Sequence, residues 1–174
     1  LAKGDLGVST IFNEQVTDVI AKRFVTSLWL MALAWSLSGL LGFVLGLIAG
    51  ARENSLADRL IRLYAYTMAA TPTFWVGMVL LMVFSVYLGW TPVCCAWPPG
   101  LSVEQVTLGQ RLHHLLLPAV TLSLIGVAQI TLHTRQKTVE AMHSDYAIFA
   151  RAQGESTVGI VCRQVLRNVA LPAV

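Results

Sequence analysis

The chain has 174 residues, 56% of them hydrophobic and only 12% charged, with a mean hydropathy of +0.68. A soluble domain carries roughly 25% charged residues, so half that density excludes a surface that faces water throughout. A net charge of +3 with scattered basic residues excludes the dense cationic patch of a nucleic-acid binder, and three cysteines do not make a disulfide framework. Leu1 is not an initiator Met, and no basic, apolar and small-residue signal opens the chain. The expectation is an internal piece of a longer membrane protein.

In chain order, three runs are long enough to cross a bilayer, which takes about 20 apolar residues. The first, residues 24–51, has no formal charge. Within it Ser38, Gly42, Gly46 and Gly50 recur every fourth residue, a small-residue stripe that lets another helix approach closely. The second, residues 63–90, is also uncharged. Pro72, in ATPTFW, interrupts its backbone hydrogen bonding and predicts a kink or break there. Thr71 and Thr73 stand beside it to satisfy freed carbonyls. Trp75 and Trp90 read as interfacial anchors, with packing against the Pro72 bend as the other reading for Trp75. The third run, residues 112–133, places Pro118 in its first turn, where helices tolerate proline. Gln129 and Thr131 are polar within it and either line a pathway or hydrogen-bond a neighbouring helix. The same choice holds for Ser36 and Thr67.

Lys and Arg set the orientation. Arg52, Arg59 and Arg62 lie between the first two spans, and Arg135, Lys137, Arg151, Arg163 and Arg167 follow the third. The loop from Thr91 to Arg111 offers only Arg111. Lys22 and Arg23 run against the pattern, with Glu14 and Asp18 beside them. The balance puts Arg52–Arg62 and everything after Arg135 in the cytoplasm.

Beyond His133, at about 135–171, the pattern turns amphipathic. Val139, Met142, Tyr146, Phe149 and Ala150 follow the three-and-four spacing of one helix face. Gly154 suits the end of that helix, and Ser156 suits the N-cap of a second, whose stripe is Val158, Val161, Cys162, Val165, Leu166 and Val169. Cys162 reads as packing there. This helix, glycine turn and helix fits either a hairpin lying on lipid headgroups or a docking element for a cytoplasmic partner.

No Walker A pattern occurs, so the chain is not expected to bind ATP itself. His113, His114, His133 and His143 fit no ligand pair on one helix face. No metal site and no cofactor are expected from them. Cys94 and Cys95 are adjacent and pair only with strain, which favours free thiols or loop filler.

Several stretches carry a family resemblance, in order along nearly the whole chain. They are GDLGVS at Gly4 to Ser9, TPTFW at Thr71 to Trp75, LGWTP at Leu88 to Pro92, HLLLPA at His114 to Ala119, DYAIFARAQG from Asp145 and LRNVALP from Leu166. Together they resemble inner-membrane permease subunits of bacterial binding-protein-dependent ABC importers, in the dipeptide, oligopeptide and nickel branch. Ile148 stands where the family's cytoplasmic "EAA" loop has its namesake Glu, Gln153 where a Lys is usual, and Thr71 where a Ser is usual. VCCAWPP in the outer loop departs from the pattern altogether.

The resemblance implies an all-α, multi-pass protein of the bacterial inner membrane, with the fold of a type I ABC importer transmembrane domain. Residues 1–174 would be one permease domain, with further helices before Leu1 and after Val174. It implies a permease subunit, not an enzyme, that forms the translocation pathway for peptides, nickel or a related small solute. The loop would couple it to separate ATP-binding subunits through Tyr146, Phe149, Ala150, Arg151, Ala152, Gly154, Arg167, Asn168, Leu171 and Pro172. Phe149, Ala150 and Ala152 would pack into the partner's groove, Gly154 would permit the turn, and Arg151 would make polar contacts at the rim. Other implied partners are a second permease subunit and an extracytoplasmic solute-binding protein, in a lipid environment and without nucleic acid. Gly42, Gly46, Gly50, Pro72 and Trp75 would serve helix packing and gating, with Gln129 and Thr131 as pathway candidates. A membrane-embedded metalloenzyme and a lipid-binding assembly protein are the alternatives.

Overall fold

The computed structural model describes residues 6–98 and 105–165. The described residues are helical, with one isolated bridge between Val8 and Gln15. In order they form α1 (Val16–Ala51), α2 (Leu56–Ala70), α3 (Thr73–Leu80) running on as a π-helical stretch Leu81–Tyr87, α4 (Leu108–Met142), α5 (Asp145–Ala152) and α6 (Thr157–Ile160), which also runs on as a π-helical turn, Val161–Val165. The helices α1 and α4 are each long and apolar enough to cross a membrane, and α2 with α3 and its continuation form a third candidate, bent by 105°.

The described residues fall into two compact units. One holds residues 6–33, 79–98 and 105–119; the other holds 34–78 and 120–165.

In the first unit, α1 starts eight residues before the apolar run that predicts it, because Asp18, Lys22 and Arg23 are compatible with helix though not with lipid. Lys22 pairs with Glu14 at 2.8 Å, and Arg23 lies over the Phe12 ring. The loop after Tyr87 is tied down by backbone bonds from Trp90 and Thr91 to the Phe84 carbonyl, and by the Ser85 and Thr91 hydroxyls at 2.7 Å. His113 holds the Trp90 carbonyl through Nε2, and His114 holds that of Cys95 through Nδ1. Cys94 and Cys95 are joined as a vicinal disulfide, which corrects the expectation of free thiols. The left-handed backbone at Cys95 (φ 72) accompanies the pairing.

The start of α4 also corrects the sequence reading. Thr107 and Gln110 form a reciprocal capping box: Gln110 N–H donates to the Thr107 hydroxyl, and Thr107 N–H donates to Gln110 Oε1 at 3.1 Å. The helix therefore begins at Leu108 and Pro118 falls in its interior, not its first turn. Thr107→Ala is expected to cost about 1 kcal/mol of local stability. Amide exchange over 108–111 should then accelerate about five-fold, measured by hydrogen–deuterium exchange; an unchanged rate would mean the box contributes nothing.

In the second unit, α2 opens on Ser55, whose hydroxyl accepts from Asp58 N–H at 3.2 Å. It ends where Pro72 offers no N–H. The Met68 carbonyl takes Thr71 N–H at 3.2 Å instead, and the Thr67 carbonyl accepts from Thr71 Oγ1 at 2.6 Å. The predicted second span is thus two helices, and the first of them starts at Leu56 rather than near Leu63.

The stripe on α1 packs on α4. Ser38 meets Ser123 and Gly126, Gly42 meets Val127 and Ile130, Gly46 meets Thr131 and Thr134, and Gly50 meets Arg135 and Thr138. Residue numbers rise together along both helices, so within this unit they run parallel.

The predicted single stripe from Val139 to Ala150 is broken. α4 stops at Met142, where Ser144 Oγ donates to the Ala141 carbonyl at 2.7 Å, and α5 begins afresh at Asp145. Gly154 ends α5 with a φ of 85°. Its N–H donates to the Arg151 carbonyl and that of Glu155 to the Ala150 carbonyl, the paired bonds of a Schellman turn. Ser156 then caps α6 by accepting from Gly159 N–H at 3.2 Å. The core beneath is Met142, Ala147, Ala150 and Ile160, flanked by Phe43 and Leu47 of α1.

Candidate functional site

The candidate site lies at one end of the second unit, where α1 and α4 finish and α5 and α6 fold back. One face of α5 is consumed internally: Ala147 and Ala150 are buried on Met142 and Ile160. Ala150, expected in a partner's groove, instead anchors the helix to its own chain. The other face is open. Tyr146 is 59% exposed, Ile148 56% and Phe149 62%. Arg151, Ala152 and Gly154 are exposed beside them. Three large apolar side chains on eight residues of surface helix make a patch of the kind that marks an interaction site. Cys162 is exposed and not packed, because the helical turn that carries it points it outward. Leu166, Arg167, Asn168, Val169, Leu171 and Pro172 lie outside the described residues, as does Gly4.

The seam above this site decides the role of several other candidates. A Cβ added at Gly46 would stand 2.5 Å from Thr134 Cβ, and one at Gly50 would stand 2.5 Å from Thr138 Cβ. The two backbones approach at these positions because no side chain intervenes. Thr131 is 0% exposed and donates to the Gly42 carbonyl at 3.3 Å. It is a seam residue and lines no open pathway in this structure. Gln129 is exposed on the same helix. Pro72 and Trp75 are exposed at the break between α2 and α3, so Trp75 does not pack into the bend.

A charged cluster that apolar periodicity does not announce lies in the same unit. Asp58, on the first turn of α2, is 0% exposed. Its Oδ1 accepts from Arg135 Nε at 2.6 Å and its Oδ2 from Arg135 Nη2 at 2.9 Å. Arg62 Nε lies 3.4 Å from Oδ1, and Asn54 N–H donates to Oδ2 at 2.9 Å. The signal was available: Asp58 is an acid set among Arg52, Arg59 and Arg62. Nearby, His143 Nε2 meets Glu53 Oε2 at 2.8 Å on the surface. The hydroxyl of Tyr64 donates to the Leu124 carbonyl at 2.9 Å, a second tie between α2 and α4. Among the described residues, no three His, Cys, Asp or Glu side chains converge as a metal site requires.

Long apolar helices sealed by a small-residue seam, with a short docked helix pair at one end, define a multi-pass helical membrane protein. Comparison with known proteins gives the family. A sequence model described as "Binding-protein-dependent transport system inner membrane component" matches residues 42–174. The chain belongs to this family, whose fold is the type I ABC importer transmembrane domain, and it is an inner-membrane component of a transport system. It is 34% identical over 172 residues to the glutathione transport system permease protein GsiC of Escherichia coli (strain K12), covering 99% of this chain and 52% of that protein. It is also 34% identical over 187 residues to the di/tripeptide transport system permease protein DppB of Pseudomonas aeruginosa (strain UCBPP-PA14), covering 99% of this chain and 56% of that one. The chain thus spans about half the length of the curated relatives it matches.

Proposed function

We propose that residues 1–174 belong to one permease domain that helps form the translocation pathway of an ATP-driven importer for a small peptide, and that α5 docks it on a separate ATP-hydrolysing subunit. The observation that carries this reading is the two-sided character of α5. Its back is fixed to the core through Ala147 and Ala150, and its front presents Tyr146, Ile148 and Phe149, each more than half exposed among the described residues. A helix held that way transmits force, because a partner that moves the front must move the core behind it. Arg52, Arg59 and Arg62 between the first two helices and Arg135 near the end of α4 support a cytoplasmic α5, on the side where ATP is hydrolysed. Ala152 and Gly154 keep the end of α5 small enough for close approach, and Arg151 supplies a charge at its rim.

Closure of two docked ATPases would then shift the α5–α6 segments and rock the spans between inward-facing and outward-facing states. The Gly42, Gly46 and Gly50 seam keeps α1 and α4 moving together. The Pro72 break with Trp75 is the candidate gate, and Gln129 the pathway candidate that remains exposed. Arg167, Asn168, Leu171 and Pro172 are carried as docking candidates on the resemblance alone. A peptide-sized solute is favoured because the relatives are named for glutathione and for di- and tripeptides. A second permease subunit and an outer solute-binding protein complete the assembly that the family description implies.

The test is co-purification of the full-length permease with its ATPase. Phe149→Asp changes only an exposed side chain, and Gly154→Val puts a β-branched residue at a φ of 85°, at a cost of about 1–2 kcal/mol. Both variants are expected to remain monodisperse and to lose ATPase co-elution. Full co-elution in both would overturn the docking reading and leave α5 as a lipid-facing helix.

A further inference from the structure

The Asp58 cluster is more specific than helix packing needs. The seam between α1 and α4 is already sealed by small residues, and Tyr64 already ties α2 to α4. An apolar pair in place of the charges would hold the helices as well or better, since buried ion pairs seldom add net stability. A two-pronged guanidinium–carboxylate bond adds direction instead: it fixes both the rotation and the register of one helix against another. Here it joins residues 77 apart in sequence. Arg135 stands roughly two turns before α4 ends at Met142 and the chain enters α5. Asp58 opens α2, which leads to the break at Thr71–Pro72. A further contact beside these elements, His143 with Glu53, is exposed and so contributes little.

We infer that Asp58 and Arg135 are positioning residues for transport: they lock the start of α2 to the end of α4, so that a displacement of α5 reaches the Pro72 break. Asp58 accepts in addition from Asn54 N–H and faces Arg62, so both oxygens of its carboxylate are engaged by groups of its own chain. The inference rests on the docking reading of α5 and adds to it a route by which docking is felt in the spans.

The test uses the full-length transporter with all its subunits in lipid nanodiscs. Asp58→Asn strands two guanidinium groups and is the severe variant. Arg135→Lys is the decisive one, because it keeps the charge and loses only the two-pronged bond. Arg135→Lys is expected to assemble with the ATPase and to hydrolyse ATP. Solute imported per ATP should fall about ten-fold, within the range of coupling between linked sites, and amide exchange over 54–62 should rise by a similar factor. The exchange Asp58→Arg with Arg135→Asp is expected to recover part of the ratio. A wild-type solute-to-ATP ratio in Arg135→Lys overturns the inference, as does loss of folded complex with no change in ratio among the molecules that remain. A wild-type permease that recruits no ATPase overturns the docking reading first, and this inference with it.

Discussion

Gly46→Leu is expected to abolish the folded permease. The first atom of any side chain at Gly46 lands 2.5 Å from Thr134 Cβ and 2.9 Å from the Thr131 carbonyl oxygen. Neither neighbour is the mobile end of a side chain, so relief requires the two helices to part along their seam. Overpacking of this kind costs about 1–3 kcal/mol, and a backbone wall places Leu at or beyond the upper end. Gly46→Ala should cost about 2 kcal/mol on the same grounds. The paired change Gly46→Ala with Thr134→Gly, which moves the methyl-bearing carbon from one helix to the other, should recover part of that loss. Gly39 is the control. It lies on the same helix with nothing within 4 Å of a built Cβ, and Gly39→Ala should be neutral or stabilise by up to about 1 kcal/mol. Thermal unfolding of the purified protein, followed by loss of the monodisperse peak, separates these outcomes. Equal melting of Gly46→Leu and the unaltered protein would remove the seam from the account of stability.

Asp58→Ala carries the second large effect. Removing one partner of a buried ion pair costs about 3–5 kcal/mol, because the remaining charge is left without compensation. Here Arg135 and Arg62 both lose their carboxylate. Arg135→Met removes the other side and leaves Asp58 buried beside Arg62 and the Asn54 amide. The double variant should be less destabilised than the sum of the singles by about 1 kcal/mol or more, the signature of residues in direct contact. Strict additivity would show that the two groups do not interact in the folded protein.

What the sequence disclosed follows from which physical signals are local. The stripe from Ser38 to Gly50 was legible because a four-residue period of small side chains has one use on an apolar helix. Its partner was not, since facing Thr131 and Thr134 across the seam depends on tertiary register, and Thr131 therefore stood equally as a pathway residue. Pro72 announced a break through its missing N–H, while the 105° bend depends on what packs around it. Apolarity alone sets the start of α4 too late, although Thr107 and Gln110 already spell a capping box. At Met142 to Tyr146 the three-and-four spacing continues across a helix end, so periodicity ran two helices into one. The groove role of Ala150 was implied by the resemblance alone, and its burial on Met142 and Ile160 depends on the α5–α6 fold. Gly154 and Ser156 were legible because left-handed turns and N-caps are decided within a few residues. The burial of Asp58 is not legible in the sequence, since a single acid among arginines has the pattern of a surface and only the structure shows otherwise.

The parallel register of α1 and α4 has a topological consequence. Two helices that cross a bilayer side by side in the same direction both finish at the same face, here the one bearing Arg52 and Arg135. The bent pair α2 and α3 is long and apolar enough to be a third candidate span, with a break in it. A fracture inside hydrocarbon leaves carbonyls with no water to turn to, at several kcal/mol each. Thr71 supplies a donor to both, its amide to Met68 and its hydroxyl to Thr67, so an uncharged residue satisfies the carbonyls that the proline break would leave open.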